Sequence, residues 1–196
     1  MAMRSVLVMA VLLGSMTLRA EQRRTLEFVW LDSHGLFPDF ERVRSEAEPI
    51  FRDLGVEVEW EVGSDPRPAI SGTAGVQVVL MPSEPSGWGI AANAMGVVLL
   101  PSRSQQHSVF LFYPPILRNV GLGRRAGSML NPRERRDVAR ALARVVVHEV
   151  VHAVAPNLSH ADRGVMHDSL LSGALAKPTI EIDDRTKEEF LRGLTE

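Results

Sequence analysis

The 196-residue sequence predicts a single α+β domain, and three observations lead to that prediction. Hydrophobic residues make up 45% of the chain, which is sufficient for a packed core. Several short segments rich in valine, leucine and aromatic residues have the length of β-strands. One much longer segment has helical periodicity and recognisable signals at both ends. We therefore expect β-strands packed against helices.

The first part of the predicted domain alternates strands with one helix. Residues 25–33 (TLEFVWLDS) are apolar and aromatic and are predicted to form a strand, and residues 56–62 alternate as a half-buried strand does. Between them, residues 39–55 have apolar side chains at helical spacing and end in a glycine, which suits a helix end. Pro49 lies inside this pattern and can bend the helix. Residues 76–82 form a further, buried strand.

Two more strand candidates follow. Residues 95–102 (MGVVLLPS) and 108–115 (SVFLFYPP) are apolar, and the polar stretch RSQQH separates them. Their composition predicts one strand in each segment.

The longest periodic element is predicted to be a helix over residues 132–155. Asn131 is a good N-cap, Pro132 fits the first helical position and Glu134 completes a capping box. Pro156 ends the helix. The second half is apolar nearly all round and should be buried. The first half should reach solvent because of its arginines, which are Arg133, Arg135, Arg136, Arg140 and Arg144.

Composition narrows the possible functions. The formal net charge of −2 argues against a nucleic-acid partner. The absence of cysteine excludes disulfides, thiolate metal sites and cysteine nucleophiles.

The N-terminus has the pattern of a secretory signal peptide. A basic Arg4 precedes an apolar run from Val6 to Leu13, and small and polar residues follow as far as Ala20. The run is too short to span a membrane comfortably. We expect residues 1–20 to be removed on export, so that residues 21–196 form one secreted or periplasmic domain without a membrane anchor.

Three of the six histidines lie in the segment HEVVHAVAPNLSH. On a helix, His148 and His152 are i and i+4, so they lie on one face about one turn apart. Two imidazoles in this arrangement can bind one Zn²⁺, and Glu149 can reach a water molecule at the metal and act as general base. This HExxH pattern predicts a hydrolytic zinc site.

A hydrolytic zinc ion normally has three protein ligands and one position for water, so a third ligand is needed. His160 follows His152 after Pro156 has ended the helix, and the intervening turn-forming residues let the chain double back. Neutral imidazole is a strong zinc ligand. Asp162 and His167 also follow the helix end and are the alternatives.

These residues resemble the signature of the metzincin metalloproteases, HExxHxxGxxH followed by a methionine turn. The order of elements is also similar: strand, helix, three or four strands, active-site helix, methionine turn and C-terminal helix. Residues 186–194 (TKEEFLRGL) would be that last helix. The matching residues are His148, Glu149, His152, a third histidine and Met166, which follows Gly164 in a predicted tight turn.

The resemblance implies a zincin domain in which a twisted mixed sheet packs against the active-site helix and the C-terminal helix. It also implies that Met166 forms the floor of the zinc site without binding the metal. An edge strand above the cleft would pair with an extended substrate, and residues 95–102 are our candidate.

The chain departs from the metzincin pattern at three positions. Ala155 occupies the family's glycine position, and His160 comes two residues later than the family's third histidine. Pro156 can redirect the chain where glycine usually does. Asp168 stands where the astacin turn has a tyrosine, so a tyrosine ligand is not available there. A small bacterial matrixin-like or orphan branch is the most similar.

The sequence thus predicts a secreted zinc endopeptidase that acts on peptides or proteins as a monomer, with His148, His152 and His160 as ligands and Glu149 as base. A gluzincin-type peptidase would instead complete the site with a glutamate such as Glu181 or Glu188. A third reading is an extracytoplasmic protein that binds zinc for stability alone. Glu149 argues against that reading, because a structural zinc site needs no base.

Overall fold

The computed structural model describes residues 24–63, 75–91, 93–99, 107–123, 129–168, 175 and 177–195. The predicted signal peptide lies outside the described residues. The predicted α+β architecture is confirmed, with five strands in one sheet and four described helices. The strands are β1 (Arg24–Leu31), β2 (Val56–Gly63), β3 (Gly75–Met81), β4 (Gly96–Leu99) and β5 (His107–Phe112). The helices are α1 (Phe40–Asp53), α2 (Tyr113–Asn119), α3 (Pro132–Val154) and α4 (Asp184–Gly193).

The sheet is mixed and has the strand order β2-β1-β3-β5-β4. The pairs β1–β2, β1–β3 and β3–β5 are parallel, whereas β4 runs antiparallel to β5. Strand β4 lies at one end of this order, and no further strand of the described part of the chain pairs with its outer side. The expected edge strand is therefore present over Gly96–Leu99, and residues 100–102 of the predicted segment lie outside the described residues.

The core lies between the sheet and the two long helices. Alternate residues of β1, namely Leu26, Phe28 and Trp30, point into it and are at most 2% exposed. The ring of Phe28 packs on Phe51 of α1 with centroids 5.2 Å apart. Val29 and Leu31 are equally buried but do not belong to the same core cluster. Because successive strand residues point to opposite faces, membership of this cluster shows which face of the sheet meets the helices.

Helix α3 begins as its sequence predicts. The Asn131 side chain accepts hydrogen bonds from the amides of Arg133 and Glu134, both at 3.0 Å. The Glu134 carboxylate accepts a hydrogen bond of 2.9 Å from the Asn131 amide, which completes the capping box. The helix ends at Val154, one residue earlier than predicted. No described helix is both long enough and apolar enough to cross a membrane.

Helix α2 replaces the end of a predicted strand. Residues 108–115 were expected to be extended throughout, but the strand ends at Phe112 and a helix starts at Tyr113. Pro114 and Pro115 explain the change, since proline lacks an amide hydrogen and the first turn of a helix does not need one. The helix brings a second wall to the region next to β4.

Arg144 also differs from expectation. It was predicted to reach solvent with the other arginines of α3, but it is only 2% exposed. Its guanidinium donates a hydrogen bond to the backbone carbonyl of Lys177. The burial of the apolar half of α3 thus begins earlier along the helix than the arginine pattern indicated, and a backbone carbonyl accepts one of the hydrogen bonds of the buried guanidinium.

Candidate metal centre

The side chains of His148, His152 and His160 form one cluster. One ring nitrogen from each lies within 4.8 Å of the others. Nε2 of His152 is 3.0 Å from Nε2 of His160, and the ring centroids of His148 and His152 are 4.8 Å apart. In the described part of the chain, this is the one group of three histidine, aspartate or glutamate side chains close enough to hold a single metal ion.

The backbone after α3 explains how His160 reaches the two helical histidines. The chain leaves the helix at Ala155, and the Leu158 amide donates to the Ala155 carbonyl at 3.0 Å, which forms a turn. Farther on, the Ala161 amide donates to the Met166 carbonyl at 2.8 Å. These bonds fold the segment back beside the C-terminal half of α3, so eight residues are enough to return a third imidazole.

The orientation of the His148 ring is set by a backbone carbonyl. Its Nδ1 lies 2.8 Å from the carbonyl oxygen of Val165. A carbonyl only accepts hydrogen bonds, so Nδ1 carries the hydrogen and the lone pair of the neutral ring is at Nε2. Met166, the next residue, is fully buried at 0% exposure. The methionine turn therefore supports the cluster through the carbonyl that precedes the methionine.

The histidines are held in the form that binds metals. Burial lowers the pKa of His148 to about 4, and the neighbouring His152 and His160 act in the same direction against the Val165 hydrogen bond. Burial, followed by the proximity of His160, also lowers the pKa of His152. Both imidazoles are therefore neutral near pH 7, as metal ligation requires.

The cluster fits a zinc ion. Tetrahedral zinc with Zn–N distances of about 2.0–2.1 Å places its ligand nitrogens about 3.4 Å apart. Two of the observed nitrogens are 3.0 Å apart, and all three lie within 4.8 Å of one another. Small side-chain movements are therefore enough to bring them to the spacing that zinc requires. Three imidazoles on one zinc ion would also leave one coordination position open, which is the donor set of hydrolytic zinc sites.

Glu149 lies beside this cluster and is 9% exposed. Burial raises the pKa of its carboxyl to about 7, because removing a carboxylate from water disfavours the charged form. No ion pair joins Glu149 to another described residue. Its carboxyl can therefore exchange a proton near neutral pH, which is the property needed for general acid–base chemistry.

A cavity of about 850 Å³ opens next to the histidines and Glu149. Residues 95–98 of the β4 region line one wall, Val145 of α3 another, and Arg118 and Asn119 of α2 a third. Asp168 also lines it. The volume is in the range of ligand-binding clefts. Strand β4 borders this cleft, in the position expected for residues 95–102.

The structure separates His160 from the two alternative third ligands. Asp162 is exposed and lies outside the cluster. Nδ1 of His167 lies 3.2 Å from a carboxylate oxygen of Asp168, and His167 is not part of the cluster either.

The two candidate glutamates also lie elsewhere. Glu181 is 72% exposed, and its carboxylate lies 3.5 Å from Nε of Arg163. Glu188 is exposed on α4. Neither glutamate belongs to the group that could hold a metal ion.

Sequence reasoning missed the contribution of α2 to the cleft. The change from strand to helix at Tyr113 is not visible in the apolar pattern, which continues across it. Pro114 and Pro115 are the local sequence signal that indicates the start of a helix there. Pro115, Arg118 and Asn119 are at i, i+3 and i+4, so they share one face of α2, and all three line the cavity.

The fold is similar to that of archaemetzincin from Methanopyrus kandleri, known from a crystal structure at 1.5 Å resolution. The similarity covers 91% of this chain and 99% of the archaemetzincin chain, with a TM-score of 0.55 and 14% sequence identity. It shows a shared architecture. No protein-family model matches the sequence. No curated protein matches it either.

Proposed function

We propose that this chain is a zinc-dependent endopeptidase of the metzincin type, within or near a small bacterial matrixin-like or orphan branch. The proposal rests mainly on one observation: three histidines with converging ring nitrogens lie beside the buried Glu149 in one cleft. The archaemetzincin-like fold supports the same conclusion.

His148, His152 and His160 would hold the zinc ion, each through Nε2. For His148 this assignment follows from the hydrogen bond at Nδ1, and for the other two it follows from the approach of their Nε2 atoms. Zinc in such a site acidifies water and polarises a carbonyl group. The Val165 carbonyl keeps the His148 ring in place, as hydrogen bonds behind metal-ligating histidines generally do.

Glu149 would accept a proton from water as the peptide bond is attacked and then give the proton to the leaving amine. The pKa of about 7 fits this role, since a general base works best when its pKa is near the working pH. Glu149 is on α3, one residue from His148, so the helix fixes its distance from the ligands. Met166 would support the site from below without touching the metal.

An extended peptide would pair with the outer edge of β4. Edge strands present unpaired amide and carbonyl groups, and extended peptides bind to such edges by adding a strand. Residues 95–98 lie along the cavity that contains Glu149 and the histidines. A peptide bound there would therefore present its backbone, rather than one specific side chain, to the site.

The proposal includes export of the enzyme. It rests on the signal-like sequence of residues 1–20 and not on the described structure. N-terminal sequencing of protein recovered outside the cytoplasm should find a start near residue 21. An intact Met1 on such protein would show that the segment is not removed.

The substitution Glu149→Gln tests the catalytic proposal. It keeps the size of the side chain and removes its basicity, so zinc content and folding should be retained. Hydrolysis of a broad peptide library should fall by about 10²-fold or more, the scale of general-base catalysis. The measurements are metal analysis of the purified protein and turnover at saturating peptide.

Glu188→Gln is the matched control, because Glu188 is an exposed glutamate on α4 outside the cleft. It should leave turnover unchanged. Turnover of a zinc-loaded Glu149→Gln protein equal to that of wild type would exclude Glu149 as the base. A zinc-loaded wild-type protein that cleaves no peptide in the library would instead favour the zinc-stabilised binding protein.

A further inference from the structure

Gly96 lies on the face of the sheet that meets α3. It pairs across the antiparallel ladder with Leu111, which is fully buried in the core. Directly paired residues of neighbouring strands point to the same face, so a side chain at position 96 would point toward the core and α3. Strand β4 therefore presents bare backbone at this point.

Glu149 occupies the space in front of Gly96. A Cβ atom built on Gly96 would lie 2.8 Å from Cγ of Glu149, 2.9 Å from its Oε1 and 3.0 Å from its Cδ. Carbon atoms in favourable contact are about 3.5–4.0 Å apart, so a methyl group there would collide with the glutamate side chain. Glu149 is only 9% exposed but lines the cavity of the cleft, so its side chain can relieve the collision by moving the carboxyl group within that cavity.

Backbone conformation does not explain why position 96 is occupied by glycine. Seven described glycines have positive φ angles, and Gly96 is not among them. Alanine could therefore adopt the backbone conformation of this strand residue without strain. The feature that alanine cannot provide at this position is the absence of a Cβ atom against Glu149.

We propose that Gly96 is a positioning residue for the catalytic carboxylate: its missing side chain lets Glu149 lie directly against β4, at the start of the strand that borders the cleft. This inference rests on the proposed role of Glu149 as general base. Filling the space would displace the carboxyl group from its place beside the zinc ligands and leave the ligands themselves in position.

The substitution Gly96→Ala tests the inference. We expect kcat to fall on the order of 10²-fold, the effect of displacing a catalytic group by about 1 Å. KM should change little, and zinc affinity should stay close to that of wild type, because no histidine of the cluster is among the three nearest atoms. Val62→Ala is the control: Val62 is 61% exposed on β2, at the opposite end of the sheet from β4, and its replacement should not alter kcat.

A double-mutant cycle separates this role from a general effect on the strand. Glu149→Ala removes the atoms that the new methyl group would meet. In that background Gly96→Ala should cause no further loss of residual turnover. In the metal-free protein, Gly96→Ala should lower the unfolding midpoint when Glu149 is present and should not lower it when Glu149 is alanine.

Three results would overturn the inference: wild-type kcat for Gly96→Ala, an equal loss of turnover in both backgrounds, or no coupling in the unfolding midpoints. A crystal structure of Gly96→Ala with an unmoved Glu149 carboxyl would do the same. The midpoints and the crystal structure do not depend on peptidase activity. If the chain hydrolyses no peptide, the proposed function fails, while these two measurements still decide whether Gly96 positions Glu149.

Discussion

At the scale of single residues, the support of His148 depends on a glycine in the methionine turn. Gly164 has φ +81°, and a Cβ atom there would lie 2.5 Å from the carbonyl oxygen of Glu181. The same carbonyl accepts a 3.0 Å hydrogen bond from the Val165 amide, and Val165 in turn accepts from His148. Gly164 thus permits the close backbone approach that fixes a carbonyl behind a candidate zinc ligand.

Gly164→Ala should therefore destabilise the protein by two separate effects. The positive φ costs an alanine about 1–2 kcal/mol. The collision with a backbone oxygen, which cannot swing away as a side chain does, should add about 1–3 kcal/mol. Gly121→Ala is the control, since Gly121 has a similar φ of +76° with nothing within 4 Å of its Cβ position. Equal losses in urea unfolding for the two variants would show that the collision has no cost.

The sequence alone predicts some of the contacts in the candidate site and not others. The proximity of His148 to His152 follows from helix geometry, because residues i and i+4 share a face. The contact between Gly96 and Glu149 joins residues far apart in the chain and depends on how β4 sits over α3. Nothing in the local sequence around Gly96 distinguishes it from a glycine that merely starts a strand.

At the scale of elements, the N-terminus of α4 is held by an aspartate. The Asp183 carboxylate accepts hydrogen bonds from the Thr186 amide at 2.9 Å and from the Thr186 hydroxyl at 2.6 Å. Partial burial acts to raise the pKa of Asp183. The two Thr186 hydrogen bonds, with smaller help from the Asp183 amide and Arg185, outweigh it and bring the pKa below the ordinary 3.8. The cap therefore favours the ionised carboxylate.

Asp183→Ala should cost about 1 kcal/mol of unfolding free energy at neutral pH, the usual value of an N-cap. A group whose pKa is lowered in the folded state contributes stability above its unfolded pKa and loses it as pH falls through the folded value. The difference in unfolding free energy between wild type and Asp183→Ala should thus have its full value above about pH 5 and decrease below about pH 4. Urea unfolding across this range measures it.

Asp183→Asn keeps an uncharged acceptor and should preserve most of the cap. The difference in unfolding free energy between Asp183→Asn and wild type should also decrease in acid, because Asp183→Asn loses only the part of the cap that depends on the negative charge. A gap between wild type and Asp183→Ala that stays constant from pH 7 to pH 3 would contradict the role of the ionised carboxylate.

Helices and strands were predicted well where a local sequence pattern marks their ends, and poorly where contacts with distant parts of the chain determine the structure. The capping box of Asn131 and Glu134 marked the start of α3 because it is a local hydrogen-bond pattern. The start of α2 was missed because Tyr113 and the two prolines continue the apolar run of β5, and periodicity does not show where such a run changes from strand to helix. The burial of Arg144 was missed because the carbonyl of Lys177, far along the chain, is what accepts its hydrogen bond.

At the scale of the whole molecule, the candidate site joins a helix of the core to an exposed residue of the segment that follows it. His148 and His152 belong to α3, which packs in the core, whereas His160 is exposed on the segment that follows it. That segment is joined to the region before α4 by the hydrogen bond between Val165 and Glu181. A metal ion bound by all three histidines would therefore add a link between α3 and the segment after it, next to the contacts that this segment already makes with the core.

Zinc should consequently stabilise the folded protein, and His160 should be required for most of the effect. A ligand whose free concentration is about 100 times its Kd adds about 2.7 kcal/mol to the free energy of unfolding. For a domain of this size that corresponds to a rise of about 5–10 °C in Tm. Calorimetry with and without added zinc, after removal of metal with a chelator, measures the rise.

The rise should be nearly abolished in His160→Ala and retained in Asp162→Ala, which changes a neighbouring exposed residue outside the cluster. The metal-free forms of both variants should unfold close to wild type, because neither side chain is buried in the core. If zinc raises the Tm of His160→Ala as much as that of wild type, His160 is not the third ligand. In that case the stabilisation must come from His148 and His152 with a different partner, and the metal would not link α3 to His160 in the segment after it.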